Sequence, residues 1–492
     1  MALKLYNTLT KQKEEFKPLH AGKVSMYTCG PTVYDYITIG NFRSYTTPDV
    51  LRRYLEYQGY EVRQIKNITD VGHLTADDVN QGDSGDDKIE KRALQEKKTP
   101  REIADFYEEY FHARENELNI EPAHYFPRAT AHVPQMIKII ERLIGSGHAY
   151  EKNGNVFFDV TSFPDYGQLS GNTLENLKVG ARLEEHPDKK NPWDFALWLK
   201  APKEHIMKWD SPWGIGYPGW HIECSAMSTE YLGDTVDIHT GGEDNIFPHH
   251  EAEIAQTECA TGAKFVNFWI HTRHLLVDGA KMSKSKNNFY TLENIQDKGF
   301  TPAVLRLAFL SAHYRSQMNF TWEVMEQAKS NLQRITDFVA NLKKIGQQTT
   351  EPENASFLVE IEKYQQTLEE AMDDDLNTPL AMSVVYEMIT KTNSLLAEQK
   401  LSSIEANKVL KLWENMNKVF GLIIPEAIEI PEEIQKIAEE RKAARESKDF
   451  TASDELRDKL LRMGYTIEDL KNNNYLIKPA RNASPNDAGG KQ

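Results

Sequence analysis

The stretch KVSMYTCGPTVYDYITIGNFRSYTTPDV, residues 23–50, contains the transition that decides the fold. Its first part, from Lys23 to Thr28, is a short apolar run that predicts a buried strand. The turn TIGN, residues 38–41, follows and leads into a helical pattern. A strand, a tight glycine turn and the start of a helix together present backbone N–H groups to an anion. Alone, these four residues are a weak signal, since an ordinary strand-to-helix turn has the same pattern.

Strand and helix patterns alternate on both sides of this stretch. After the glycine break at Gly59, a second strand is predicted that ends near Thr69, and the strand–helix–strand order indicates a right-handed parallel unit. Thr47 and Pro48 have the pattern of a helix cap followed by proline at the first helical position, so we expect a break or kink there. The alternation resumes at Gly219, and the sequence therefore predicts an α/β fold built on a parallel sheet.

Length, charge and cysteine content limit the classes of protein to which the chain can belong. Its 492 residues predict about three to four domains. The net charge of −16 counts mildly against a nucleic-acid partner, because phosphate binding then requires a local concentration of basic residues. The presence of only three cysteines predicts a reducing, cytoplasmic compartment. The lack of a long apolar run predicts that the chain does not span a membrane.

The motif KMSKS, residues 281–285, is the most specific local signal in the chain. Two lysines and their neighbouring serines on a loop suit a polyphosphate, because they combine positive charge with hydroxyl donors. A solvated basic loop is the simpler interpretation. The unbroken match of the motif is nevertheless far more specific than a lysine pair, so we predict a phosphate-binding role for Lys281 and Lys284.

Two cysteines and one later helix supply a candidate metal site. Cys29 and Cys224 lie far apart in sequence, but each follows or lies within an element of the predicted sheet domain. His249 and Glu253 are four residues apart on a predicted helix and therefore share one face. Two thiolates, an imidazole and a carboxylate form a suitable tetrahedral set for Zn²⁺. The spacing leaves open the pair of His250 with Glu253 and the pair of His249 with His250.

The motif HTGGEDN, residues 239–245, follows a predicted strand. Gly241 and Gly242 allow the backbone to approach a ligand closely at this point. Asp244 could hold a cationic amine, whereas a plain acidic loop is the simpler interpretation. The motif therefore predicts a second ligand-contacting loop at the edge of the same sheet.

These motifs, together with GWHIECSAM and FPHHEAEIAQ in the same order, resemble those of the cysteinyl-tRNA synthetases, a family of class I aminoacyl-tRNA synthetases. The resemblance extends from about Leu3 to about Ile477 and so covers nearly the whole chain. The stretches NITDV, DIHTGGED and DDDLNTPLAM are also similar to family sequences. Each piece is short, but the combination is very specific.

The resemblance implies a Rossmann-type catalytic domain that is split by an inserted domain and followed by helical and anticodon-binding parts. The implied catalytic domain comprises residues 1–119 and 217–275, and the inserted connective domain comprises residues 120–216. The implied later parts are a KMSKS loop and stem-contact region at 276–321, a helical bundle at 322–425, a mixed anticodon-binding domain at 426–479 and a disordered tail at 480–492.

The resemblance also implies a reaction and its residues. Cysteine and ATP, with Mg²⁺, would give cysteinyl-adenylate, and the cysteinyl group would then pass to tRNA(Cys). A single Zn²⁺ ion would bind the substrate thiolate, held by Cys29, Cys224, His249 and Glu253. The implied substrate-binding residues are Thr69, Trp220, His239 and Asp244. The implied ATP-binding residues are Thr38, Gly40, Asn41, Gly241, Gly242, Lys281 and Lys284, of which Thr38, Asn41, Lys281 and Lys284 would act in catalysis. We expect a cytoplasmic monomer.

Thr38 is a departure from the family pattern, because the family motif has histidine at this position. A threonine hydroxyl can donate one hydrogen bond but stays neutral. Three other classes of protein therefore stay open. They are a ligase that joins cysteine to an amino sugar, an inactive paralogue that binds nucleotide or tRNA, and a zinc hydrolase. The long region after Trp322 counts against the first, the intact KMSKS motif against the second, and the four-ligand metal set against the third.

Overall fold

The computed structural model describes residues 2–72, 74–76, 84–173, 175–176, 186–282, 288–347, 355–425, 431–469 and 475–479. The chain separates into two compact units, Met1–Ile424 and Pro425–Gln492, and each unit is described by itself. Lys284 and the predicted disordered tail lie outside the described residues.

The described part of the chain forms strands and helices along its whole length. The strands are β1 (Lys4–Asn7), β2 (Gln12–Glu15), β3 (Lys23–Thr28), β4 (Glu61–Lys66), β5 (Leu74–Ala76), β6 (Ser84–Asp87), β7 (Ala149–Lys152), β8 (Asn155–Phe158), β9 (Phe195–Lys200), β10 (Gly216–Pro218), β11 (Val236–Gly242), β12 (Val266–Thr272), β13 (Leu275–Val277), β14 (Ala280–Lys281), β15 (Met318–Phe320), β16 (Tyr465–Asp469) and β17 (Tyr475–Pro479). The α-helices are α1 (Ile39–Tyr57), α2 (Lys88–Glu96), α3 (Pro100–Glu117), α4 (Val133–Gly145), α5 (Trp220–Leu232), α6 (Glu251–Thr261), α7 (Leu292–Asp297), α8 (Pro302–Leu310), α9 (Trp322–Gly346), α10 (Ala355–Asp373), α11 (Thr378–Ala397), α12 (Ser403–Phe420), α13 (Glu432–Glu446) and α14 (Phe450–Arg462).

Parallel strands form the central sheet, in the order β12, β11, β3 and β4. A parallel sheet is covered by helices on both faces, so its strands are rich in buried apolar residues such as Val24, Met26 and Ile238. The carboxyl ends of β3 and β11 lie side by side, since the N–H of Cys29 donates to the carbonyl of Thr240 at 2.9 Å. The predicted α/β fold with a parallel sheet is confirmed.

Helix α1 begins at the glycine turn and continues without interruption through Pro48. The predicted break at Pro48 was therefore wrong. Thr46 and Thr47 do not cap a new helix, because their hydroxyls donate to the carbonyls of Phe42 and Arg43 one turn earlier, at 2.8 and 3.5 Å. All five of these side chains are buried, and tertiary packing outweighs the local preference of proline to end a helix.

The rest of the chain forms a second, antiparallel sheet and several packed helix pairs. An antiparallel sheet, ordered β10, β9, β8 and β7, is built from the residues between α4 and α5. After α8, helix α9 packs against α12, and α10 packs against α11. In the C-terminal unit, α13 packs against α14, and buried Arg441 pairs with Asp469 at 2.6 Å. Among the described residues, no helix is long and apolar enough to cross a membrane.

A buried arginine joins α8 to α1 and to the end of α12. The Arg306 side chain is 1% exposed and forms an ion pair with Asp49, which Arg53 also contacts at 3.0 Å. Arg306 Nε donates to the carbonyl of Phe420 at 2.7 Å, and Nη1 donates to the carbonyl of Leu118 at 3.0 Å. Burial raises the pKa of the Asp49 carboxyl, but the two arginines outweigh this and hold it below its usual value.

We expect Arg306→Met to lower the free energy of unfolding by roughly 3–5 kcal/mol, because it removes a partner of a buried carboxylate and leaves buried carbonyls unpaired. Urea unfolding followed by circular dichroism measures the loss. The control Arg334→Met changes an exposed side chain of α9 and should shift stability by less than about 1 kcal/mol. Equal effects of the two variants would show that the junction does not stabilise the fold.

Candidate active site and metal centre

An open cleft of about 410 Å³ lies at the carboxyl ends of β3 and β11, next to the start of α1. This is the edge at which open parallel sheets bind their ligands. The predicted site residues that line it are Cys29, Thr38, Gly40, Asn41, Trp220, Gly241, Gly242, Asp244 and Lys281. The predicted site residues that are at most 2% exposed are Thr69, Cys224, His239, His249 and Glu253.

Thr38 and Asn41 form a reciprocal cap at the start of α1. The Thr38 hydroxyl donates to Asn41 Oδ1 at 2.7 Å, and the N–H of Asn41 donates to Thr38 Oγ1 at 3.2 Å. This cap fixes the first helical turn. The turn contains no acidic residue, so no carboxylate of its own opposes an anion at the positive end of the helix. The geometry suits a phosphate, although the Thr38 hydroxyl proton is engaged by Asn41.

Lys281 and Asp244 form an ion pair in the cleft. Lys281 Nζ lies 3.1 Å from Asp244 Oδ1, and the two side chains are 65% and 68% exposed. His274 Nε2 lies 3.5 Å from the same carboxylate oxygen. Asp244 therefore already has a cationic partner in this cleft, and its contact with a substrate ammonium group stays a prediction.

The structure brings three of the four predicted metal ligands together in one group. The Sγ atoms of Cys29 and Cys224 and a ring nitrogen of His249 all lie within 4.8 Å of one another. Glu253 Oε1 lies 3.0 Å from His249 Nε2. A second group with equally close ligand atoms consists of His239, His250 and Glu253. Among the described residues, no such group joins His250 to the two cysteines.

Two buried atoms of this cluster, His249 Nε2 and Glu253 Oε1, lie 3.0 Å apart as an ion pair, but neither forms an aligned hydrogen bond with a described residue. His249 Nδ1 lies 2.9 Å from His221 Nδ1, so Nε2 is the ring nitrogen that remains for a metal. Glu253 Oε2 lies 2.9 Å from His239 Nε2, which leaves Oε1. Buried polar atoms without partners are uncommon and costly. His249 Nε2 and the two thiols are donor types that suit Zn²⁺, whereas Glu253, the predicted fourth ligand, is grouped with His239 and His250 and not with the cysteines.

The electrostatics of the cluster also suit a cation. Burial, reinforced by the neighbouring Cys29, raises the pKa of the Cys224 thiol well above its ordinary value. A thiolate at this position therefore requires a positive partner, and a bound metal ion ionises a coordinating thiol. Burial also raises the pKa of Glu253, but His239 and His249 outweigh this effect and bring it to about 2.

The predicted substrate-binding residues differ in how far they are buried below the cleft. The Trp220 ring stacks on His249, with ring centroids 4.4 Å apart, so a wall of the cleft contacts the metal-ligand cluster. His239 is fully buried. The Thr69 hydroxyl donates to Glu223 Oε2 at 3.0 Å. Contact of Thr69 and His239 with a substrate stays a prediction.

Sequence reasoning missed Arg43, which joins the start of α1 to the chain that leads to the KMSKS motif. Its buried guanidinium donates to the backbone carbonyls of Arg273, His274, His313 and Ser316. The planar fork of five N–H donors suits several acceptors at once. Burial lowers the pKa of Arg43 to about 10. No sequence signal could reveal these contacts, since the partners are backbone atoms of distant segments.

Asn245 was also missed, although it belongs to the glycine loop that the sequence singled out. Its Nδ2 lies 3.8 Å from Cys29 Sγ, and its Oδ1 accepts from the N–H of Gly242 at 3.0 Å. A Cβ atom on Gly241 would lie 2.6 Å from His250 Cε1, so glycine permits this close packing. The loop therefore contacts both the metal-ligand cluster and the cleft.

A family-model match assigns the parallel sheet, the capped helix start and the lysine-bearing strand to a class I aminoacyl-tRNA synthetase. Residues 15–330 match the family model described as "tRNA synthetases class I (C) catalytic domain". The fold is similar to a solved Mycobacterium tuberculosis methionyl-tRNA synthetase in complex with methionyl-adenylate, with a TM-score of 0.58 and 14% identity over 81% of this chain and 90% of that chain. At this identity, the likeness shows the fold alone.

Curated relatives and two further family models identify the family within this class. The cysteine--tRNA ligase of Chlorobaculum tepidum is 44% identical over 96% of this chain and 98% of its own length. That of Lachnoclostridium phytofermentans is 45% identical over 95% of this chain and 98% of its own length. Residues 367–424 match the "DALR domain", and residues 428–475 match the "Cysteinyl-tRNA ligase anticodon binding domain". The chain belongs to the cysteine--tRNA ligase family, which confirms the resemblance of the motifs.

Proposed function

We propose that the cleft activates cysteine with ATP to give cysteinyl-adenylate and then transfers the cysteinyl group to tRNA(Cys). The observation that carries this proposal is the cluster of Cys29, Cys224 and His249 ligand atoms within 4.8 Å of one another, beside the capped start of α1. This arrangement holds a thiol-selecting centre next to a phosphate-binding helix start. The two substrates can therefore meet at one edge of the sheet.

In the first step, the cysteine carboxylate attacks the α-phosphorus of ATP, and pyrophosphate leaves with the electron pair of the broken P–O bond. The N–H groups at the start of α1 and the backbone at Gly241 and Gly242 bind the nucleotide. Lys281 and Lys284 neutralise charge on the leaving pyrophosphate, to which the Mg²⁺ ion of the substrate is also bound. Asp244 accepts the ammonium group of cysteine, and its contact with Lys281 places this group on the same side of the cleft as the phosphate-binding lysine.

Selection of cysteine over serine follows from the proposed ligands Cys29, Cys224, His249 and Glu253. The substrates differ by one atom, and an apolar pocket discriminates poorly at that scale. A Zn²⁺ ion bound by these residues would supply a soft Lewis acid that binds a thiolate far better than a hydroxyl. Trp220 stacks on His249 and closes the pocket around the side chain.

Charging assays with a tRNA pool test this function. Labelled cysteine and labelled serine are compared as substrates, with ATP and with the zinc content of the purified chain measured in parallel. Charging with cysteine but not with serine, by a protein that contains about one zinc ion per chain, is the expected result. Adenylate formation without charging would instead favour the amino-sugar ligase, and no adenylate formation would favour the inactive paralogue.

The proposed function also includes an acceptor, a cellular compartment and an oligomeric state. Family models match the chain through the anticodon-binding domain, which favours tRNA over an amino sugar as acceptor. The three cysteines all lie within the described residues and form no disulfide, which favours a reducing compartment, so we propose a cytoplasmic location. We also propose a monomer with the domain boundaries predicted from the sequence.

We expect Thr38→His to speed adenylate formation or leave it unchanged, because histidine can donate to phosphate and carry charge. The capping bond between Thr38 and Asn41 would be lost, and helix caps contribute about 1 kcal/mol. Rapid-quench measurement of adenylate formation separates the chemical step from product release. Thr38→Ser, which retains the hydroxyl cap, is the matched control. A large loss with histidine would show that the site has been rebuilt around threonine.

A further inference from the structure

A chain of buried hydrogen bonds connects the residue after Cys29 to the residue before Cys224. The N–H of Gly30 donates to Asn67 Oδ1 at 2.7 Å. Asn67 Nδ2 lies within hydrogen-bond distance of Thr69 Oγ1, at 3.1 Å, and the Thr69 hydroxyl donates to Glu223 Oε2 at 3.0 Å. The side chains of this chain, named here the Asn67–Thr69–Glu223 relay, are at most 2% exposed.

The backbone around the relay is equally close. The carbonyl oxygen of Asn67 lies 1.7 Å from the position that a Cβ atom on Gly30 would occupy, so only glycine fits there. The N–H of Thr69 donates to the carbonyl of Pro31 at 3.0 Å, and the N–H of Val33 donates to the carbonyl of Thr69 at 3.1 Å. The loop that carries Cys29 is therefore fixed against residues 67–69 by both backbone and side chains.

The far end of the relay reaches α5, the helix that carries Cys224. Glu223 is fully buried, and its second oxygen, Oε1, has no hydrogen-bond partner among the described residues. The bond from the Thr69 hydroxyl therefore fixes the first turn of α5 at the residue just before Cys224.

The geometry points to Asn67 and Glu223 as positioning residues that set the distance between the two cysteine ligands and so determine how firmly Zn²⁺ is held and how well cysteine is selected. This inference rests on the proposed zinc site. The two cysteines belong to segments that are far apart in sequence, and the relay is a direct side-chain connection between their immediate neighbours. Residues that orient metal ligands typically change metal affinity or activity about 10- to 100-fold when they are replaced.

The test compares Glu223→Met with Glu223→Gln in the full-length, zinc-loaded protein. Methionine keeps the length of the side chain but removes the acceptor, whereas glutamine keeps an acceptor oxygen for the Thr69 hydroxyl. Zinc release into excess chelator is followed with a colorimetric zinc indicator, in the absence of cysteine. We expect about tenfold or faster release from Glu223→Met and release within about twofold of the original rate from Glu223→Gln.

A second readout is the ratio of kcat/KM for cysteine to kcat/KM for serine in adenylate formation. We expect this ratio to fall about tenfold in Glu223→Met and to stay near its original value in Glu223→Gln. A lowered Tm with unchanged zinc release and an unchanged ratio would overturn the inference, because it would show that the relay only stabilises the fold. An effect of the same size in both variants would also overturn it.

Thr69→Val keeps the inference testable if Glu223→Met fails to fold. Valine has nearly the same shape as threonine, but it cannot bridge Asn67 and Glu223. Faster zinc release from Thr69→Val than from Thr69→Ser supports the relay, and equal release contradicts it. The zinc content of the original protein distinguishes this inference from the proposed function. If the original protein contains no zinc, both are overturned. If it binds zinc tightly and the variants release zinc at the original rate, only this inference is overturned.

Discussion

Cys224→Ser should abolish stoichiometric zinc binding and lower the rate of cysteine activation by more than about 100-fold, beyond the effect expected for a residue that only orients a ligand. The Cys224 thiol is 1% exposed, and its Sγ atom belongs to the group that also contains Cys29 and His249. A serine hydroxyl is harder than a thiolate and is not readily ionised, so the variant loses a strong zinc ligand. Zinc analysis and pyrophosphate exchange with cysteine measure the two losses.

Cys259→Ser is the matched control for this variant. Cys259 lies near the end of α6, is half-buried, and is not part of either candidate metal group of the described residues. It should retain zinc and full cysteine activation. If Cys224→Ser also retained zinc and activity, the ligand set would be wrong, and the second group around His250 would become the better candidate.

Lys284→Ala should lower the rate of adenylate formation by about 100-fold or more, the scale of losing one pre-placed group that stabilises transition-state charge. This expectation comes from the KMSKS motif, since Lys284 lies outside the described residues. The loss should appear in the chemical step with little change in cysteine binding, because pyrophosphate charge develops as the α–β bond breaks. Single-turnover kinetics with saturating ATP and cysteine separates the two effects.

Lys281→Ala and Lys411→Ala complete the lysine comparison. Lys281 pairs with Asp244 in the cleft. Its loss should lower the rate of adenylate formation and also change the affinity for cysteine, because it frees that carboxylate. Lys411 is an exposed lysine of α12, and its replacement should leave adenylate formation unchanged. An unaltered rate in Lys284→Ala would refute the proposed role of the motif.

Much of the fold could be predicted from short local patterns. The strand at residues 23–28, the start of α1 within residues 38–41 and the helix start at Trp322 all follow from apolar periodicity and turn chemistry. The continuation of α1 through Pro48 could not be predicted. Whether a proline ends a helix depends on the packing of its neighbours, and Thr46 and Thr47 use their hydroxyls inside the helix instead of capping one.

The candidate site could be predicted only as a set of residue types. Sequence spacing left His249 and His250 as alternatives, and the structure distinguishes their surroundings because only His249 is grouped with the cysteines in the described residues. The contact of Lys281 with Asp244 and the bonds of Glu223 and Arg43 escaped prediction. These contacts join segments that are distant in sequence, and such pairings are set by topology and not by local pattern.

The distribution of the cysteine and histidine ligands has a consequence for synthesis of the protein. Cys29 follows an early strand, whereas Cys224 and His249 come after the antiparallel sheet of β7 to β10. A ribosome that has completed β3 has therefore made a thiol whose partners emerge only about two hundred residues later, which is of the order of 10–40 s at bacterial-like elongation rates. At the zinc site proposed above, metal loading would thus be a late event, because the ligand set is incomplete until residues 224–253 have been synthesised.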